Sequence, residues 1–127
     1  MRNAVTTDKA PKPIGPYSQA IIEGEFIFAS GQGCMNPQTG ILETADVRSE
    51  TRRTFENVRA ILHAAGSSLE HVVKCNVYLR DIDDFAAMNE VYATFFSAPY
   101  PARTTIQAGA LPGGIAVEIE CIARKPK

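Results

Sequence analysis

Val73-Lys74-Cys75-Asn76-Val77-Tyr78-Leu79-Arg80 lies mid-chain and alternates apolar with polar side chains, the period of a half-buried strand. On either side the period changes. From about Asp46 to Ala65, Val47, Thr51, Phe55, Val58, Ile61, Leu62 and Ala65 recur every three or four residues, which predicts an amphipathic helix. Gly66 supplies its left-handed stop. The opposite stripe, Arg48, Arg52, Arg53, Glu56 and Arg59, is expected to face solvent. Downstream, a second helix is expected from near Asp81, which can cap it, with Asp84 at the positive end of its dipole. Its stripe is Phe85, Met88, Tyr92, Phe95 and Phe96, and it stops before Pro99 and Pro101.

Further out, Ala10-Pro11-Lys12-Pro13-Ile14-Gly15-Pro16 holds three prolines that remove donors and fix φ, so it reads as an extended arm. The arm leads into a strand at Tyr17–Ile22, a turn at Glu23-Gly24-Glu25 and a returning strand at Phe26–Ser30. Gly31–Gly40 is loop. Arg103–Ala108 and Ile115–Arg124 complete the strands. In the last, Val117, Ile119, Cys121 and Ala123 alternate with Glu118, Glu120, Ile122 and Arg124. The order β-β-α-β-α-β-β predicts an α+β fold, a mixed sheet with two helices on one face. Phe55, Val58, Ile61, Leu62, Phe85, Met88 and Phe95 are the expected contacts of that layer. The other face, expected to carry Glu118, Glu120 and Arg103, is left to pack against other copies of the chain.

The chain has 127 residues, enough for a single domain spanning 1–127. Its 45% hydrophobic and 21% charged residues describe a folded chain, not a disordered tail. Thirteen basic against fourteen acidic residues leave a net charge of −1, without the broad basic field that holds nucleic acid by counterion release. No apolar run approaches a membrane span, and the N-terminus lacks the apolar core of a signal peptide. Cys34, Cys75 and Cys121 are odd in number and far apart, and His63 and His71 complete a thin ligand supply. The expectation is no metal, no disulfide framework and a reducing, cytoplasmic compartment.

Glu118 and Glu120 lie two apart on a strand and point to one side. Such a pair suits acid–base work, or is an ordinary charged edge. Arg103, behind the stiff Pro99-Tyr100-Pro101-Ala102 lead-in, suits bidentate binding of a carboxylate or phosphate, or a structural salt bridge. Asn89 interrupts the stripe of the second helix and needs a partner, backbone or ligand. Tyr17 presents a phenol to a pocket or packs as an aromatic. Ser30-Gly31-Gln32-Gly33 exposes backbone but has no Walker lysine. The cysteines read as core fillers and the histidines as structural.

These segments resemble the Rid family, reactive intermediate deaminases also described as perchloric-acid-soluble translation inhibitors. The strongest match is Pro101-Ala102-Arg103-Thr104-Thr105-Ile106-Gln107-Ala108-Gly109-Ala110-Leu111-Pro112 followed by Val117-Glu118-Ile119-Glu120, with the family's spacing of 118 − 103 = 15 from Arg to the first Glu. Ile14-Gly15-Pro16-Tyr17-Ser18-Gln19-Ala20, Ser30-Gly31-Gln32, Asn36-Pro37-Gln38-Thr39-Gly40, Ala64-Ala65-Gly66, and Asp81-Ile82-Asp83-Asp84-Phe85 with Asn89 extend it over nearly the whole chain.

The resemblance implies a chorismate-mutase-like fold assembled as a homotrimeric, barrel-like ring with clefts between subunits. It implies that Arg103 binds a substrate carboxylate and Glu118 positions the hydrolytic water, with Tyr17, Ser30, Gly31, Asn89 and Thr105 as substrate-binding residues of the pocket. Many bacterial members carry Cys where this chain has Thr105, so control through a thiol there is lost. The implied reaction is hydrolysis of 2-iminopropanoate (the tautomer of 2-aminoacrylate) and 2-iminobutanoate to 2-oxo acids and ammonia, with no cofactor. Two other classes stand beside it: an RNA-acting translation inhibitor touching phosphates through Arg48, Arg52, Arg53 and Arg59, and a non-catalytic ligand sensor or chaperone-like protein. The net charge ranks nucleic acid below the imino acid as partner.

Overall fold

The computed structural model describes residues 1–127. Its strands are β1 (Asn3–Val5), β2 (Ala20–Glu23), β3 (Phe26–Gln32), β4 (Val72–Leu79), β5 (Ala102–Gln107) and β6 (Val117–Arg124), and its helices α1 (Val47–Ala64) and α2 (Phe85–Phe95). One six-stranded sheet runs β1-β2-β3-β6-β4-β5. Its pairs are antiparallel except β4 with β5. The parallel pair is spanned by α2, because a parallel step needs a crossover where a hairpin suffices for antiparallel neighbours. The α+β architecture expected from the element order is the one observed; β1 is the strand the sequence pattern did not announce. No helix is long and apolar enough to cross a membrane.

Helix α1 begins where Asp46 accepts a hydrogen bond from the Ser49 amide at 2.9 Å, satisfying one of the helix's orphan donors. It ends in a Schellman turn: the Ser67 amide reaches the Leu62 carbonyl at 2.8 Å and the Gly66 amide that of His63 at 3.0 Å. Gly66 takes φ +82° there, a conformation that favours glycine. Phe55, Val58, Ile61 and Leu62 are fully buried, each contributing on the order of 1.5–3 kcal/mol through removal from water. They meet Ile119, Cys121 and Ala123 of β6 and Val77 and Leu79 of β4 in one core. Phe55 stacks on Phe95 at 4.7 Å between centroids and meets Tyr92 edge-on at 5.5 Å, tying α1 to α2.

Three expectations need correction. Asp81 caps a 3-10 turn, Ile82–Asp84, and α2 proper begins only at Phe85. Phe85, expected in the core, is 39% exposed, because the turn swings it to the rim of the layer. Val73 does not share the buried side of β4: the pairing with β6 shifts between Val72 and Lys74, and Val72 points inward instead. A bulge moves every residue on one side of it to the opposite face.

The second face of the sheet is open. Phe26, Phe28 and Ile106 are exposed on it, beside Lys74, whose ammonium donates to the Thr104 hydroxyl at 2.9 Å.

Candidate functional site

Arg103 lies on the helix side of the sheet, not on the open face with the two glutamates. The parallel register pairs it with Cys75, an inward-pointing residue of β4, and paired residues share a face. Its neighbour Thr104 pairs with Asn76 and takes the open side. In Ala102–Gln107 the more apolar alternate set, Ala102, Thr104 and Ile106, takes the open side, so pairing and not burial of an apolar stripe decided the face.

On that side, Arg103 is held from three directions. Its Nη1 donates to Asn89 Oδ1 at 2.7 Å. Its guanidinium carbon sits 4.7 Å from the Tyr92 ring centroid and 5.4 Å from that of Phe85, cation–π geometry. The displaced Phe85 is therefore a wall of this site. Arg103 forms no ion pair; those of the chain lie elsewhere. It is an oriented cation with Nη2 and Nε still free, at a cleft of about 310 Å³ lined by Asn89, Tyr92, Ala93, Tyr100, Pro101 and Arg103. The buried Thr105 hydroxyl has no partner within the chain, and the Tyr92 hydroxyl has only the Cys75 thiol against it. Burial pushes the Tyr92 phenol far up, so it stays a neutral donor.

Glu118 and Glu120 occupy the open face together, as expected. Tyr78 donates its hydroxyl to Glu120 Oε1, so the partner of that acid is a phenol. Glu118 has no hydrogen-bonded partner and is half-buried against Gly31: a Cβ on Gly31 would lie 2.5 Å from Glu118 Oε2. Burial first, and the Glu120 charge second, push the Glu118 carboxyl above the ordinary range. Ser30 closes this corner, its hydroxyl donating to the Ser18 carbonyl at 2.6 Å. Tyr17, half-exposed, accepts a 3.4 Å hydrogen bond from the Ile14 amide.

The arm carrying Tyr17 is fastened by Gln19, a residue whose role the sequence pattern did not reveal. Its side chain is buried, donates to the carbonyls of Thr7, Ala10 and Pro11 at 3.0, 3.3 and 2.9 Å, and accepts from the Thr7 amide at 2.8 Å. The available signal was an amide entering a strand between Ser18 and the inward-pointing Ala20.

The chain therefore presents two half-sites. Arg103, Asn89 and Thr105 belong to the helix side at β5; Glu118, with Gly31 against it, belongs to the opposite side, and Ser30 joins that segment to the arm of Tyr17 through the Ser18 carbonyl. Arg103 is level with Cys121 through Cys75, and Glu118 is level with Tyr78. That separates the two by two strands, about 10 Å, and by three residues along β6, about another 10 Å, with side chains on opposite faces. No small molecule touches both within one chain. The cysteines offer no nucleophile: all three are buried and their thiols pushed up, Cys34 to about 11, chiefly by burial.

Residues 7–125 match the family described as Endoribonuclease L-PSP. The chain is 50% identical to a RutC family protein of Pyrococcus horikoshii over 98% of this chain and 99% of that one. It is 46% identical to a 2-iminobutanoate/2-iminopropanoate deaminase of Capra hircus, over 97% of this chain and 90% of that protein. The chain belongs to the Rid family. Among solved structures of Rid proteins, RidA of the Antarctic bacterium Psychrobacter superposes with a TM-score of 0.93 at 46% identity, covering 97% and 99% of the two chains. E. coli TdcF with bound serine superposes with a TM-score of 0.91 at 40% identity, covering 98% and 99%. Within the Rid family the names thus divide between deaminase, RutC-type and endoribonuclease.

Proposed function

We propose that this Rid protein is a hydrolytic deaminase of small 2-imino acids, with each working site assembled from two chains of a homotrimer. The observation that carries this is Arg103: a guanidinium held by Asn89 between two rings, without an acid of its own chain. Its free Nη2 and Nε match a carboxylate as a two-pronged donor. Relatives 41% and 46% identical carry the name of this activity, and a relative was crystallised with serine, itself a small carboxylate.

In the proposed reaction, Arg103 of one chain fixes the substrate carboxylate and so places the C=N carbon. Glu118 of an adjacent chain takes a proton from water as the water oxygen attacks that carbon. Glu118 returns that proton to the imine nitrogen, which gives the neutral carbinolamine. As the C–N bond breaks, the carbinolamine hydroxyl gives its proton to Glu118, which passes it to the leaving nitrogen, so ammonia departs and the carbonyl of the 2-oxo acid remains. A carboxyl raised above its ordinary range both accepts and returns a proton more readily near neutral pH. Because an imine carbon is already electrophilic, placement and one oriented water suffice.

An RNA substrate is less well supported. On α1, Arg48 pairs with Glu90 at 2.9 Å, Arg53 with Glu56 at 3.2 Å, and Arg59 lies over Phe95 at 5.2 Å. Of the stripe offered for phosphates, Arg52 alone is without such a partner.

The test generates 2-iminobutanoate in place with a threonine dehydratase and follows 2-oxobutanoate, for wild type and Arg103→Ala. Wild type should exceed the spontaneous rate and Arg103→Ala should fall close to it. A folded wild-type sample that adds nothing to the spontaneous rate refutes the proposal.

A further inference from the structure

Helix α1 buries a carboxylate that belongs to neither half-site. Glu50 is 1% exposed and has no cationic partner. Its Oε1 accepts from the Ala116 amide at 2.8 Å and its Oε2 from the Ala45 amide at 3.2 Å, and the Cys34 thiol lies against the same carboxylate. Removing a charge from water is expensive, and an apolar side chain of similar shape commonly stabilises a core as well or better. What such a carboxylate adds is geometry: it ties the backbone amides of Ala45 and Ala116 and the Cys34 side chain, on three separate segments, to one point on α1.

Two of those segments build the Glu118 corner. Ala116 lies two residues before Glu118 on the entry to β6. Cys34 follows Gly31 by three residues on the exit from β3. The same inward side of α1 carries Asn57, which is buried and donates to the carbonyls of Gly33 and Met35 at 3.0 and 2.8 Å. Between the two segments there is no slack. The space a Cβ would need at Gly31 is filled by the Glu118 carboxylate, and that at Gly33 by the Ile115 side chain.

Resting on the deaminase reading above, we infer that Glu50 is a positioning residue: its buried carboxylate sets where Glu118 stands relative to Gly31, and so where the water is held. It touches no substrate. The Arg103 half-site, on β5 and α2, is outside its reach.

Three variants test this. Glu50→Leu removes both acceptors, Glu50→Asp shortens the side chain by one carbon, and Glu50→Gln keeps one oxygen for the Ala116 amide. Glu50→Leu should lower kcat roughly ten- to a hundred-fold, as expected for displacing a reacting group by about 1 Å. The affinity for 2-oxobutanoate, which reads the Arg103 half, should stay within about twofold if carboxylate binding is untouched. Glu50→Asp should lie between, and Glu50→Gln should recover most of the kcat. Should Glu50→Leu not fold, Asp and Gln carry the same comparison. Amide hydrogen exchange, which needs no turnover, should accelerate at Ala116, Gly31 and Gly33 in the Leu or Asp variant while β4 amides keep their protection. Equal loss of kcat and product affinity, an unrecovered Gln variant, or exchange that rises uniformly over the sheet would each overturn the assignment. If wild type shows no turnover, the deaminase reading fails, and exchange still decides whether Glu50 sets this corner.

Discussion

Replacing Arg103 with lysine keeps a positive charge at the site and removes the fork. In the native chain one prong, Nη1, is committed to Asn89 at 2.7 Å, and the plane is set by Tyr92 at 4.7 Å and Phe85 at 5.4 Å. That leaves two donors for a carboxylate. A lysine ammonium offers one contact in this direction and lacks the flat surface the rings hold. The loss is one charge-assisted hydrogen bond, about 1.5–3 kcal/mol, or roughly 10- to 150-fold in affinity. The substrate carboxylate carries the same charge before and during water attack, so the loss should be nearly uniform between ground and transition states. KM should therefore rise by most of that factor while kcat changes little. Titration of Arg103→Lys in the dehydratase-coupled assay separates the two, with a thermal melt to confirm folding. A KM within about threefold of wild type would mean that the fork does not grip the carboxylate, and the role given to Arg103 would be wrong.

Four further outcomes are expected. Gly31→Ala places a Cβ 2.5 Å from Glu118 Oε2 on a backbone that needs no positive φ. The Glu118 carboxylate, as the end of a side chain, is the part that must give way, lowering kcat about tenfold or more while the melting temperature hardly moves; an unchanged kcat would separate Gly31 from the chemistry. Glu120→Gln removes the second cause of the raised Glu118 carboxyl, burial being the first, so the acid limb of kcat should move to lower pH. The same raised carboxyl contributes stability at pH below its ordinary 4.5 that is lost as pH rises through the folded value; denaturant titrations at several pH values should show this slope flattened in Glu118→Gln. Finally, mixing Arg103→Ala subunits with Tyr17→Ala or Glu118→Gln subunits should restore activity, because some interfaces then join two intact halves. No recovery on mixing, or a fully active monomer by light scattering, would refute shared sites.

Helices and strands were legible because each is periodic and punctuated. Asp46 and Gly66 bracket α1 in the sequence as they do in space, and the alternation of β6 correctly sent Glu118 and Glu120 away from the core. The residues that position others were not legible. Gln19, Glu50 and Asn57 are polar side chains whose partners lie on segments such as Thr7–Pro11, Ala116 and Gly33–Met35, and no local pattern announces a hydrogen bond across the fold.

Local pattern sufficed for both helices, for every strand but β1, for the covered and open faces of β6, and for the residue types fit for carboxylate and proton chemistry, because burial of alternating or helically spaced apolar groups is a local constraint. That Arg103 and Glu118 stand on opposite sides of the sheet follows from strand pairing. In β5 the two apolar residues, Ala102 and Ile106, share the open side with Thr104; the parallel register with β4 set that face, and register depends on strands and a crossover helix far apart in the chain.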